Sequence, residues 1–184
     1  MITLVIGGSG SGKSAYAESL LEGVPQKYYL ATMLVEDEES KKKVERHQML
    51  REGKGYVTIE QPRRLDLAAD KIRQYRKWCE TEGDKPTGAL LECVSNLTAN
   101  EMFQPEGMRM PRAVADDIIS GISAVSAAVE MFVIVSNNVF EDGIEYDAGT
   151  RDYIKAMGMI NETLAQMADR IVEVVAGIPV VWKE

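Results

Sequence analysis

The chain opens with an apolar run, Ile2–Ile6, that breaks directly into GGSGSGKS at Gly7–Ser14. A tight turn needs one or two glycines for its special dihedrals. Four glycines and three serines in eight residues instead bare a whole loop, so that successive amide N–H groups can close on an anion. The spacing Gly7-x-x-x-x-Gly12-Lys13-Ser14 between an apolar run and a helix-length stretch is the P-loop pattern. It constrains the fold strongly. The first strand has to be buried, a helix has to start at Ser14, and the carboxyl end of the sheet has to stay open to a ligand.

The rest of the chain repeats that alternation. Apolar runs recur at Tyr28–Thr32, Tyr56–Glu60, Gly88–Glu92, Met131–Ser136, Ile171–Val175 and Ile178–Trp182. Several are continuously apolar, as expected of strands covered on both faces. Helix-length stretches lie between them: Ser14–Leu21, the charged Asp37–Arg51, Leu65–Cys79, Arg112–Val129 and Tyr153–Ala168. The order predicts a three-layer α/β fold of the P-loop type with a mostly parallel central sheet. The last two runs, joined by AGIP, predict a hairpin at the sheet edge. Either Asp147 or Thr150 is expected to cap the helix after the polar Glu141–Tyr153 segment. With 184 residues and no internal repeat or linker, residues 1–184 are expected to form one nucleotide-binding domain.

Composition narrows the partners. The net charge of −8 argues against a general nucleic-acid surface, because polyanion binders carry a basic excess. Two cysteines, Cys79 and Cys93, are too few for a disulfide framework. No run reaches membrane-spanning length, and Ile2–Ile6 is too short for a signal sequence. The expectation is a soluble, cytoplasmic protein without a membrane span.

Within the loop, Gly7, Gly8, Ser9, Gly10, Ser11 and Gly12 are the candidate phosphate cradle. Lys13 is placed to bridge β- and γ-phosphates, and Ser14 to offer its hydroxyl to Mg²⁺. Glu92, at the tip of a buried run, reads either as a second carboxylate on that metal or as a solvated cap. His47 is the one histidine. In KKKVERHQMLR it reads either as part of a solvated helix face or as a nucleophile able to form a phosphoramidate. Arg46 and Arg51 are close enough in sequence to neutralise phosphate charge. No guanine-reading Asn-Lys-x-Asp motif is present.

Taken in order, TLVIGGSGSGKS, YYLAT, ERHQMLR, LLECVSNLTANEMF, VIVSNNV and GMINETLAQMADRIVEVVAGIPVVWK resemble the bifunctional adenosylcobinamide kinase / adenosylcobinamide-phosphate guanylyltransferase family of cobalamin biosynthesis, over nearly the full length. The resemblance implies two reactions. One phosphorylates adenosylcobinamide with ATP or GTP. The other transfers GMP from GTP to adenosylcobinamide phosphate through a guanylylated histidine, which falls on His47. It further implies a homotrimer with the site near a subunit boundary. Departures exist. Gly10 replaces the family's usual arginine. Asn137-Asn138-Val139-Phe140 stands where asparagine-glutamate-valine-glycine is common. Glu145 and Tyr153-Ile154-Lys155 replace a proline and a phenylalanine-arginine-aspartate run. Arg151, Gly158 and Asn161 are retained. The alternatives are a P-loop small-molecule kinase, a variant keeping guanylyl transfer alone, and a non-catalytic nucleotide-binding switch.

Overall fold

The computed structural model describes residues 1–35, 38, 41–42, 44–45, 49, 53–79, 85–138 and 145–184, with the backbone alone at position 79. Most of the charged stretch expected as a helix over 37–51 lies outside the described residues, as do Arg46, His47, Arg51, Val139 and Phe140.

Seven strands form one sheet: β1 (Ile2–Gly7), β2 (Gln26–Ala31), β3 (Tyr56–Glu60), β4 (Thr87–Glu92), β7 (Met131–Asn137), β8 (Arg170–Val175) and β9 (Ile178–Lys183). Two further short strands, β5 (Phe103–Gln104) and β6 (Gly107–Met108), pair with each other apart from it. The sheet order is β3-β2-β4-β7-β1-β8-β9. Every neighbour is parallel except β8 and β9, which form the expected edge hairpin. The helices are α1 (Lys13–Ser19), α2 (Asp66–Cys79), α3 (Val94–Met102), α4 (Pro111–Ser126) and α5 (Ala148–Met167).

Alternation along the strands sorts side chains into two cores, because successive residues face opposite sides of a sheet. Leu4, Leu30, Leu91 and Ile134 point to one face and pack against Ile72 of α2, Leu97 of α3, Ile118 of α4 and Ile160 of α5. Val5, Tyr29, Leu90, Val133 and Val135 point to the other, against Ala17 of α1 and Leu21 just beyond it. The architecture is the three-layer α/β fold the sequence predicts, with α1 on one face and α2, α3, α4 and α5 on the other.

The boundaries differ in informative ways. The first helix runs over Lys13–Ser19 rather than Ser14–Leu21. The last helix starts at Ala148, five residues before the predicted Tyr153, because Asp147 caps it: its carboxylate accepts from the Thr150 N–H at 3.0 Å and the Thr150 hydroxyl at 2.6 Å. Helix α3 and the β5–β6 pair are not predicted by the pattern of runs. The polar residues Ser95, Asn96, Thr98 and Asn100 break the apolar period of α3.

Candidate functional site: the loop after the first strand

Strand β1 ends at Gly7, and the chain turns through Gly8–Gly12 into α1. The glycines do different jobs. Gly10 and Gly12 sit at φ +71° and +90°, where L side chains are strained. At Gly7 a Cβ would stand 2.6 Å from both Ser11 Oγ and the Val174 carbonyl oxygen. Gly8 needs neither freedom: a Cβ there would meet nothing within 4 Å. The loop is braced from outside as well, since Gly177 N–H, in the β8–β9 turn, donates to the Ser11 carbonyl at 2.8 Å. Ser11 Oγ is buried without a hydrogen-bond partner.

Lys13 is 8% exposed, and its Nζ donates to the Gly8 carbonyl at 2.9 Å, curling back over the loop. Burial lowers its pKa, while Cys93 and the Glu92 carboxylate pull it up. Ser14 Oγ donates to Glu92 Oε1 in a short contact, and Tyr29 Oη donates to Glu92 Oε2 at 3.1 Å. Glu92 therefore stands at the end of β4 facing the loop, and is not a helix cap: α3 begins after Cys93, with no side-chain cap. A serine hydroxyl and a carboxylate oxygen brought together in this way are hard oxygen donors, the chemistry Mg²⁺ takes from protein. Among the described residues, no group of three or more His, Cys, Asp or Glu side chains comes together as a metal site.

Beside Glu92 the strand ends carry a polar chain that sequence reasoning missed. Asn137 Nδ2 donates to Ser95 Oγ at 2.6 Å, which lies 3.0 Å from Cys93 Sγ. Tyr153 Oη donates to the Ser95 carbonyl at 3.3 Å. Ser136 Oγ donates to Asn161 Oδ1 at 2.6 Å, and Asn161 Nδ2 reaches the Asn137 carbonyl at 3.5 Å. Burial pushes the Cys93 thiol pKa up. The only advance signal for this cluster is that VIVSNN and LLECVSN both end apolar runs in polar residues. Of the other retained positions, Arg151 Nη1 donates to the Tyr146 carbonyl at 2.8 Å, and a Cβ at Gly158 would meet nothing within 4 Å.

A cavity of about 130 Å³ opens next to the same carboxylate. Tyr29, Thr32, Val44, Thr58, Glu92 and Cys93 line it, among others. Val44 is three residues before His47 in the chain.

A parallel sheet whose first strand ends in a glycine loop and whose third strand in sheet order brings a carboxylate to the serine after the lysine defines a P-loop α/β protein. Solved structures agree on the fold: one ATPase domain (TM-score 0.51, 12% identity, covering 94% of this chain and 68% of that one), and an ATPase from the type III secretion system of pathogenic bacteria (TM-score 0.55, 10% identity, 98% and 56%). The family model for cobinamide kinase / cobinamide phosphate guanyltransferase, CobU, matches residues 3–182. The chain belongs to that family. It is similar to the bifunctional adenosylcobalamin biosynthesis proteins CobU of Salmonella typhimurium (31% identity, 98% of each chain) and CobU of Escherichia coli (29%, 98% of each). It is also similar to the protein named CobP of Pseudomonas aeruginosa (24%, 100% of this chain and 98% of that one).

Proposed function

We propose that this protein is a transferase with two activities: it phosphorylates adenosylcobinamide with ATP or GTP, and transfers GMP from GTP to adenosylcobinamide phosphate. The family membership supports the pair of reactions. The amides of Gly7–Gly12 and the Lys13 ammonium hold the triphosphate, Lys13 exchanging its Gly8 carbonyl for phosphate oxygens. Ser14 and Glu92 would hold Mg²⁺, which neutralises phosphate charge when bound. In the first reaction the substrate hydroxyl attacks the γ-phosphorus. Positioning and charge neutralisation carry most of the rate.

The second reaction runs through His47. Its neutral imidazole attacks the α-phosphorus of GTP, and the bond to pyrophosphate breaks. An oxygen of cobinamide phosphate then displaces the imidazole. Two in-line displacements replace the single attack of cobinamide phosphate on the triphosphate. Arg46 and Arg51 neutralise the phosphates. The observation that carries this reading is the cavity shared by Val44 and Glu92. Val44 lies three positions before His47 in the sequence. Assembly as a homotrimer and a cytoplasmic location complete the reading.

The test is incubation with GTP radiolabelled at the α-phosphate, followed by denaturing electrophoresis. The expected result is an acid-labile, alkali-stable label on the protein that His47→Asn abolishes. Label persisting in that variant would discard the histidine route. A chain that only phosphorylates would never label.

A further inference from the structure

Strand β7 lies between β4, which ends in Glu92, and β1, which ends in the glycine loop. Its last residue, Asn137, is in register with Gly7, and the next N–H, of Asn138, donates to the Gly7 carbonyl at 3.3 Å. By the two-residue alternation Asn137 shares the α1 face with Val133 and Val135, as Glu92 shares it with Leu90. The asparagine therefore stands between the carboxylate and the phosphate loop, on their side of the sheet. Its amide is held from one end only. Nδ2 is fixed on Ser95 Oγ at 2.6 Å, whereas Oδ1 is buried and accepts no hydrogen bond. A buried carbonyl-type oxygen without a donor costs about 1–3 kcal/mol, and such atoms in native proteins call for a reason.

The chemistry of that atom selects its partner. An amide oxygen only accepts. A phosphate oxygen at neutral pH has little to give it, and Lys13 Nζ is on the Gly8 carbonyl. The reacting group that brings a proton to the loop is the alcohol that receives the γ-phosphoryl group. We propose that Asn137 Oδ1 accepts the O–H of the acceptor alcohol and thereby aims an oxygen lone pair at the γ-phosphorus. The proposal rests on the kinase half of the reading above. In the step, the alcohol oxygen bonds to the γ-phosphorus. The bond from phosphorus to the β–γ bridging oxygen breaks, its electron pair leaving on the nucleoside diphosphate, and the alcohol proton passes to water. Asn137 neither gains nor loses a proton. Ser95 is a positioning residue: it holds the amide by its nitrogen, so that the oxygen is the atom left to accept.

The experiment uses the full chain with adenosylcobinamide and γ-labelled ATP for one activity, and adenosylcobinamide phosphate with GTP for the other. Asn137→Ala is expected to lower kcat for phosphoryl transfer about 10- to 100-fold, the size of one lost orienting hydrogen bond in the transition state. KM for ATP and the rate of guanylyl transfer are expected to stay within about threefold, since neither involves an alcohol. Ser95→Ala, which leaves the Asn137 oxygen in place but unheld, is expected to give a smaller fall in the same kcat alone. It also decides the matter should Asn137→Ala not fold. An unchanged phosphoryl-transfer kcat in a folded variant overturns the proposal. So does an equal loss of both activities, which would mark a role toward metal-bound water or in holding the loop. If the unaltered chain transfers no phosphoryl group to the alcohol while it still transfers GMP, the kinase reading itself falls and takes this proposal with it.

Discussion

Tyr153 stands where the family commonly has phenylalanine, and its hydroxyl gives the site a pH dependence that a phenyl ring would not. Burial, with the neighbouring Cys93, pushes its pKa from 10.0 up to about 12. The folded state therefore holds this proton more tightly than the unfolded state. The associated stability is complete below pH 10 and is lost as pH rises toward 12. Denaturant titrations across that window should show Tyr153→Phe losing less stability than the parent chain; parallel curves would mean that the phenol is effectively solvated. Legibility at this scale was uneven. Lys13, Ser14 and Glu92 could be read because a local pattern or a strand end announced each. Asn137, Ser95 and Cys93 could not, because what joins them is contact between two strand tips far apart in sequence. His47 is proposed on resemblance alone, a lone imidazole among charges having no physical signature of its own.

Among the elements, α5 shows how caps fix a boundary that periodicity blurs. Its start is set by Asp147. At its other end, the Lys183 ammonium donates to the Ala168 carbonyl at 2.6 Å, with those of Ala165 and Gln166 at 3.4 and 3.5 Å, a cation where the helix dipole favours one. Asp147→Ala should cost about 1 kcal/mol, or about 2–4 °C in Tm for a chain of this size. An unchanged Tm would show that the Thr150 contacts contribute nothing net. The seven strands of the main sheet were legible to within two residues, most of them as continuous apolar runs. Helix α3 was not. Its buried face includes Ser95, Thr98 and Glu101, which hydrogen bonds keep tolerable there: Thr98 Oγ1 donates to the Val94 carbonyl at 2.8 Å and Arg109 pairs with Glu101 at 3.0 Å.

For the whole molecule, the parallel sheet and its edge hairpin followed from the order of runs, while strand order could not, since nothing local says that β4 and β7 insert between β2 and β1. No helix among the described residues is long and apolar enough to cross a membrane. The outermost strand, β9, is exposed along its length, with Ile178 65% and Trp182 68% exposed, an edge of the kind proteins ordinarily blunt or cover. The proposed homotrimer is checked by sedimentation equilibrium, where the expected mass is three times the 20.4 kDa of the chain. A single 20.4 kDa species at micromolar concentration would remove the trimer from the reading.

The Gly177–Ser11 hydrogen bond and the fit of Gly7 beneath the Val174 carbonyl join segments far apart in the sequence. On the ribosome, the phosphate loop is made long before the turn that clamps it. During synthesis the cradle therefore waits, unbraced, until the hairpin emerges, and a nascent chain cannot grip its nucleotide in the mature geometry before then.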